Sequence, residues 1–589
     1  MIFYGKASRA VAVAAALDEV DGWIAGALAA PLPVERHAAW VAALVAAGGL
    51  AQGLADAGAE DADASALSHA LAGIMGRSWE AGFADLPGAV PASVAEPLAR
   101  LRADRALPAS VDIRRTEGFS HYAVYPEAFW RAARTLPAPR PAEVLGLRSI
   151  GTVLAAAVAA ALDAPPPHTV RPRGHPFARE VVLTGEGGGP RLAAALRNDA
   201  NAAWAVVDEG PGLSGSSFGA AADALGGCGV PPERIVLFPS HGGAPGAMAS
   251  AAHRRLWAAA RRAVVPAEEI LLDETAPRRG LAGWVSDVTG PLLAPPEDVG
   301  GGGWRGHLYR DEAGWPAADR QNERRKYLLR GEKGHVLLRF TGLGTFGREK
   351  LARARALAEA EFGIAPLGWR HGFLVEPWRR DLRPVALEEV DRPAFLRRLA
   401  AYLAFRAGTF PARPRDGASL DALLAMARAN AAEALGAAAA RRVDLWADHL
   451  PALARVSRPV AIDGRLAPHE WLHDGHGLFL KTDALDHCAG HDLVGCQDIA
   501  WDVAGAAVEC ALSDREAEAL RVAVERDSRH PCDRALVDFF RVAYPAFAVG
   551  ALTMARDRET GAEAARLAAA AAERAGALRR ALERALPPR

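Results

Sequence analysis

Cysteine is scarce in this chain: five in 589 residues. That is too few for a disulfide framework at this length, and a reducing cytoplasmic setting is the simpler expectation. No sign of charge is in excess. Lys and Arg number 69 against 70 Asp and Glu, so no overall field draws the chain to nucleic acid or to an acidic membrane. Long apolar runs are missing as well. The longest alanine/valine run, Val153–Leu162, is too short to span a bilayer. The opening stretch, MIFYGKASRAVAVAAALDEVDGW, carries acids early and lacks a signal-peptide layout. These absences argue against nucleic acid and membrane as partners.

What is present is enough for several domains. Half of the residues are apolar and 24% are charged, ordinary for a globular chain. Residues 1–108 read as helices, with alanine and leucine at helical spacing in Ala38–Leu54 and Ser65–Met75. From 109 to 290 the texture changes. Short apolar runs at Glu143–Leu147, Glu180–Leu183, Ala203–Val207 and Arg234–Phe238 are mostly followed by Gly/Ser/Pro loops, and two of these lead into helical stretches. That alternation predicts a doubly wound parallel sheet, whose ligand loops lie at the C-terminal ends of its strands. Residues 291–303, PLLAPPEDVGGGG, read as a linker, the four glycines as a joint rather than a nucleotide flap. From 304 to 589 the pattern predicts strands at Lys326–Leu329, His335–Phe340 and Gly372–Pro377, a helix over Gly347–Glu361, and then mostly helices. The fold class expected is multidomain α/β: a helical region, a doubly wound sheet, and an α+β domain.

The richest stretch is Val206 to Phe218, VVDEGPGLSGSSF. A strand runs into the acids Asp208 and Glu209, then a small-residue loop, then a helical pattern. Amides of Ser214, Gly215, Ser216 and Ser217 suit a phosphate at a helix N-terminus, and the acids suit sugar hydroxyls or a metal. A second strand–helix turn, Gly146 to Thr152, offers Arg148, Ser149, Gly151 and Thr152 to an anion such as pyrophosphate. A third loop, Thr169 to Arg179, carries Arg171, Arg173 and His175 among turn formers and reads either as a solvated basic loop or as a flap over phosphates. Phe119, Tyr122 and Tyr125 read as core or as a wall for a base.

These motifs resemble the PRPP-binding site of type I phosphoribosyltransferases over residues 110 to 270. The resemblance implies that Asp208 and Glu209 contact ribose hydroxyls, that Ser214–Ser217 hold the 5-phosphate, and that the Arg148 turn faces pyrophosphate. PRPP with Mg²⁺ and a nucleobase or related heterocycle would then be the ligands. The loop before Ser214 is one residue longer than that family's.

The rear half gathers acids and histidines: Asp463, His469, Glu470, Lys481, Asp483, Asp498 and Asp502. An acid, a second ligand and a third acid after a strand make a metal–nucleotide pattern. The pattern resembles the aminoglycoside-phosphotransferase branch of the kinase fold over residues 305 to 589. The resemblance implies ATP and Mg²⁺, with Asp463 as base, Glu470 and Asp483 as metal ligands, Asp498 or Asp502 as the structural acid, and Lys326, Arg339 and Glu376 at the nucleotide. Arg339 stands where a lysine is usual, Glu470 where an asparagine is usual, and no His-Gly-Asp is present. His487, Cys488, His491 and Cys496 form a rival zinc pattern without a Cys-x-x-Cys pair. Cys228, Cys510 and Cys532 read as buried. The combined expectation is a bifunctional transferase, phosphoribosyl transfer in front and phosphotransfer to a small molecule behind. The alternative is a PRPP- and ATP-sensing regulator with a degenerate kinase domain.

Overall fold

The computed structural model describes residues 8–183, 189–198, 202–273, 275–490 and 494–584. Its N-terminal helices, Val13–Ala29, Pro33–Asp56, Ala62–Glu80 and Ala92–Ala103, do not stand apart. Pro33 opens one at its first turn, where its missing N–H costs nothing, and Asp61 caps another by accepting from the Asp63 and Ala64 amides. Gly48 lets the first of these pack on the helix Gly151–Ala161: a Cβ there would lie 2.3 Å from Val153.

The front sheet has five parallel strands in the order His168–Val170, Glu143–Leu147, Trp204–Val207, Ile235–Phe238, Arg261–Arg262. Successive side chains enter different cores, as the strand period of two requires. Val144, Ala205, Val207, Val236 and Phe238 join the N-terminal helices and Gly151–Ala161. Leu145, Leu147, Val206 and Leu237 join Phe218, Leu225 and Trp257 on the opposite face. Both faces are therefore covered, which is why these strands read as unbroken apolar runs.

The second sheet is antiparallel, in the order Glu297–Asp298, Lys326–Arg330, His335–Phe340, Phe373–Pro377, Gly368–Arg370. The expected linker lies inside it. Glu297–Asp298 pairs with Tyr327 and Leu328, Leu292 bridges Gly331, and Val299 is buried. The segment 291–303 forms the sheet edge through Glu297, Asp298 and the Leu292 bridge, with Val299 buried beside them, so it is not a free joint. The helix Thr345–Glu359 follows the third strand, and a helical lobe runs from Arg392–Thr409 to Gly561–Arg584 around its own core.

One core crosses the two modules. Tyr327, Leu329, Val336, Leu338, Phe340, Phe373 and Val375 share a continuous apolar cluster with Phe119, Tyr125, Trp284 and the N-terminal helices. The Tyr125 hydroxyl donates to the His371 carbonyl at 2.8 Å. Phe119 and Tyr125 are core, whereas Tyr122 is exposed. Cys510 and Cys532 are buried, but Cys228 is exposed because it directly follows the helix Ser216–Gly227 at the surface. Among the described residues two helices, Pro33–Asp56 and Arg534–Arg556, are long and apolar enough to cross a membrane by length and composition, and most of the apolar stretch of each is packed inside the protein.

Phe340 stands in the shared core against Tyr125 and Phe373. Phe340→Ala should destabilise the chain by about 3–5 kcal/mol, measured by urea denaturation. Tryptophan fluorescence and circular dichroism should still report one transition for the N-terminal helices and the second sheet. Separate transitions would contradict a shared core.

Candidate functional site

The front candidate lies at the C-terminal ends of the parallel strands. Its two main loops are adjacent because their strands pair, Glu143 with Trp204 and Gly146 with Val207. Gly151 allows the contact: a Cβ there would stand 2.6 Å from the Val207 carbonyl oxygen. Arg171 donates to Ser149 Oγ at 3.1 Å and to Asp56 Oδ1 at 3.0 Å, and Arg148 Nε lies 3.4 Å from the same carboxylate. Burial, then Arg171 and Arg173, lower Arg148 against the pull of Asp56. Burial lifts Asp208 to about 7, against the Glu209 amide and Arg171. Arg148 Nε and Thr152 Oγ1 are buried with no hydrogen-bond partner. Crowded guanidiniums and orphaned donors are what an anion would satisfy. Sequence reasoning missed Asp56, at the end of a distant helix, and Arg114, lowered by burial and Arg171 and brought in by the strand Ser110–Arg114.

The expected 5-phosphate seat is closed. Gly215, at φ 64°, gives its amide to the Pro211 carbonyl at 2.7 Å, and the Ser216 amide donates to Ser214 Oγ at 3.3 Å. Ser216 Oγ donates to the Pro176 carbonyl at 2.8 Å, with Ser214 Oγ 3.1 Å from the same oxygen. Pro176 is in the turn of the hairpin Arg173–His175/Ala178–Glu180. The expected flap therefore lies over the loop, with Arg173 and His175 exposed and Ser217 half-buried. Buried hydroxyls at a helix start need acceptors, and the hairpin carbonyl provides one.

The rear candidate is a cleft of about 190 Å³ between the second sheet and the helical lobe. Trp304, Leu308, Leu337, Pro377 and Leu472 form an apolar slot, and Lys326, Arg339, Glu376, Arg465, Glu470, Lys481 and Asp483 line the polar end. Lys326 and Arg339 are directly opposed on neighbouring strands. Arg339 donates to Asp483 Oδ1 at 2.7 Å and lies 3.5 Å from Glu376; Lys326 lies 2.5 Å from Glu323 and 3.8 Å from Asp483. Burial disfavours charge on Arg339, but Glu376 and Asp483 outweigh it and raise the guanidinium.

Asp463 is not at the cleft wall. It is fully buried, bonded to the Tyr402 hydroxyl, 3.5 Å from Lys481 Nζ and 3.9 Å from Arg406. Burial alone would raise it; Lys481, His487 and Arg406 hold it below the usual carboxylate range. Arg406 also donates to the Ala461, Ile462 and Ala484 carbonyls, clamping both loops. Arg465, two residues on, is the member of this loop that reaches the cleft with His469 and Glu470. Asp502 accepts the amides of Asp463 at 2.7 Å and Gly464 at 2.9 Å, so it is the acid that supports the loop. Asp498 instead accepts from Arg458 and Ala500 amides.

Glu470 and Asp483 do not share a metal position. Clusters with ligand-like spacing join Asp463, Glu470 and His487, or Asp483, Asp486 and His487. Each acid is already matched by a cation. Glu470 takes Lys481 at 2.8 Å, Asp486 takes Arg324 at 2.9 Å and Lys350 at 3.2 Å, and Asp483 takes Arg339 and Lys326 with His487 at 3.7 Å. A dication would meet about 4 kcal/mol of repulsion per pair of unit charges at ~4 Å and an effective dielectric of ~20. These residues do not fit Mg²⁺ as the resemblance implied. The zinc pattern is not assembled among the described residues either: Cys496 Sγ donates to the Cys488 carbonyl, His487 serves the two aspartates, and His491 lies outside the described residues.

No family model matches the chain, and no curated protein matches it. Solved structures similar to it include kinases and phosphotransferases. A choline kinase from Streptococcus pneumoniae is 13% identical with a TM-score of 0.31, over 43% of this chain and 89% of that one. A choline/ethanolamine kinase family protein from Mesorhizobium loti is 16% identical with a TM-score of 0.31, over 50% and 93%. A putative aminoglycoside phosphotransferase from Ralstonia eutropha is 12% identical with a TM-score of 0.34, over 51% and 95%.

His487 gives a pH test. Burial lowers it, but Asp463 and Asp483 outweigh burial and lift it from 6.5 to about 9. A raised histidine stabilises the fold fully below its unfolded value and loses that contribution as pH climbs through its folded one. The stability of the wild type relative to His487→Gln should therefore be greatest below about pH 6.5 and decline towards pH 9. Denaturant titrations at pH 6 and pH 10 check the sign; an advantage that grows with pH would refute it.

Proposed function

We propose that this is a two-site protein of nucleotide chemistry. The front site takes PRPP and transfers its phosphoribosyl group to a heterocycle; the rear cleft takes a nucleoside triphosphate. One observation carries the front assignment: Arg148, Arg171 and Asp208 converge at the ends of three neighbouring parallel strands, with the Arg148 Nε and Thr152 Oγ1 donors lacking a hydrogen-bond partner. The acid would read the ribose diol and the arginines the departing pyrophosphate, whose charge is the chief thing a protein must screen in this displacement. The 5-phosphate would enter by replacing the Pro176 carbonyl over Ser214 and Ser216.

Phosphate transfer from ATP to a small molecule is one reading of the rear cleft. Binding without transfer is the second, and a specific observation favours it: the carboxylate of Asp463 is sealed behind the cleft while Arg465 faces it. A base must come within hydrogen-bond reach of the hydroxyl it orients, and in this structure the Asp463 carboxylate is turned to Tyr402, Lys481 and Arg406.

Calorimetry with PRPP and Mg²⁺ tests the front site. Wild type should bind, and Arg148→Met should bind at least about tenfold more weakly, the value of one charge-assisted contact. No heat and no thermal shift with wild type would remove the phosphoribosyl reading.

The rear cleft needs a separate assay. On incubation with ATP and a panel of hydroxylated small molecules, transfer requires release of ADP. The binding reading expects an ATP-induced rise in melting temperature with no ADP formed.

A further inference from the structure

We propose that the rear cleft binds its nucleotide without a divalent metal, using Lys326, Arg339 and Arg465 as the phosphate-neutralising groups. The inference rests on the reading of this cleft as a nucleotide site. It departs from the Mg²⁺ dependence that the kinase resemblance implies, and the geometry of the acids is the reason. The carboxylates that would hold a metal are spent. Asp483, with 23% of its side chain exposed, is bonded to Arg339 and flanked by Lys326 and His487. Glu470 is held by Lys481, which also donates to the Thr482 carbonyl at 2.7 Å and is fully enclosed. Asp486 carries two cations, and Asp463 is sealed.

The same arrangement supplies what the metal would otherwise do. Arg339 projects from the strand His335–Phe340 beside Lys326 of Lys326–Arg330, and both line the polar end of the slot. Arg465 approaches from the loop opposite. The positive charges of Arg339 and Lys326 are at present balanced by Asp483, Glu376 and Glu323. Phosphate oxygens compete with these carboxylates for the same N–H donors, a like-for-like exchange of charge-assisted hydrogen bonds. Metal and nucleotide binding both require those donors to leave their acids, but a phosphate offers the donors a new anionic partner, whereas a metal cation leaves them without one.

This makes an unusual prediction about Asp483. At a metal-dependent site the loss of a metal-holding acid weakens nucleotide binding. Here Asp483 competes with the phosphates, so Asp483→Asn should free Arg339 and tighten binding. The experiment is titration of the full-length protein with ATP, by calorimetry and thermal shift, in excess EDTA and again in excess MgCl₂. Affinity in EDTA should be within about twofold of that in Mg²⁺. Asp483→Asn should bind about tenfold tighter in EDTA, equivalent to one lost competing pair, and Arg339→Met at least tenfold more weakly. Arg339→Lys, which keeps the charge, serves if the methionine variant does not fold. Affinity that rises more than tenfold on adding Mg²⁺, or an Asp483→Asn protein that no longer binds, overturns the proposal while leaving the nucleotide reading intact. No binding of ATP in either buffer removes that reading and the proposal with it.

Discussion

The alternation of side chains along three antiparallel strands is the constraint on which the rest depends. On one face of Lys326–Arg330, His335–Phe340 and Phe373–Pro377, Tyr327, Leu329, Val336, Leu338, Phe340, Phe373 and Val375 close the core shared with the front half. On the other face Lys326, Leu337, Arg339 and Glu376 line the cleft. A strand has a period of two, so a slip of one residue would bury the charges and expose the seal. The register Lys326↔Arg339 and Leu337↔Glu376 therefore places the charges of the cleft and joins the two modules at once.

The two sites differ in how their charge is balanced. In the rear, buried acids and cations are matched nearly one to one, and the match has a structural cost. An ion removed from water loses several kcal/mol of solvation, recovered only with good geometry and further hydrogen bonds. Arg406 meets that condition: it donates to three backbone carbonyls and to Tyr402 while standing near Asp463. The contacts of Asp463, Asp502 and Arg406 hold the loop that carries Arg465 and Glu470. In front, Arg114, Arg148 and Arg171 crowd towards Asp56, and burial and mutual repulsion push Arg114 and Arg148 below their ordinary range. An incoming anion relieves that repulsion; in the rear it must displace an acid.

Much of the fold was legible because it depends on local apolar runs. The strands Glu143–Leu147 and His335–Phe340 coincide with their sequence expectations, and those ending at Val207 and Phe238 begin one residue late. The run Glu180–Leu183 failed: the strand is Ala178–Glu180, an arm of the hairpin, and not a member of the sheet. His168–Val170 and Arg261–Arg262 escaped notice because three- and two-residue strands carry no periodicity. The sites were harder. Lys326, Arg339, Glu376 and Asp483 do come together, but residue type alone did not show that Asp463 faces inward. That is decided by Tyr402 and Arg406, some sixty residues earlier. Asp56 and Arg114 reach the front site only through tertiary packing, and no motif surrounds them.

The closed seat over Ser214 and Ser216 follows from the same need to satisfy buried donors. At the start of the helix Ser216–Gly227 the Gly215 and Ser216 amides are taken by the Pro211 carbonyl and Ser214 Oγ, and the buried Ser214 and Ser216 hydroxyls donate to a neutral carbonyl from the hairpin turn, that of Pro176. Such neutral hydrogen bonds contribute about 0.5–1.5 kcal/mol each, while bonds to an ionised oxygen are roughly twice as strong and gain from the helix dipole. A phosphate therefore has the stronger claim on these hydroxyls than Pro176 does. Arg173 and His175 share the hairpin with Pro176, so on the proposed reading an anion that displaced the carbonyl would move these exposed basic groups with it.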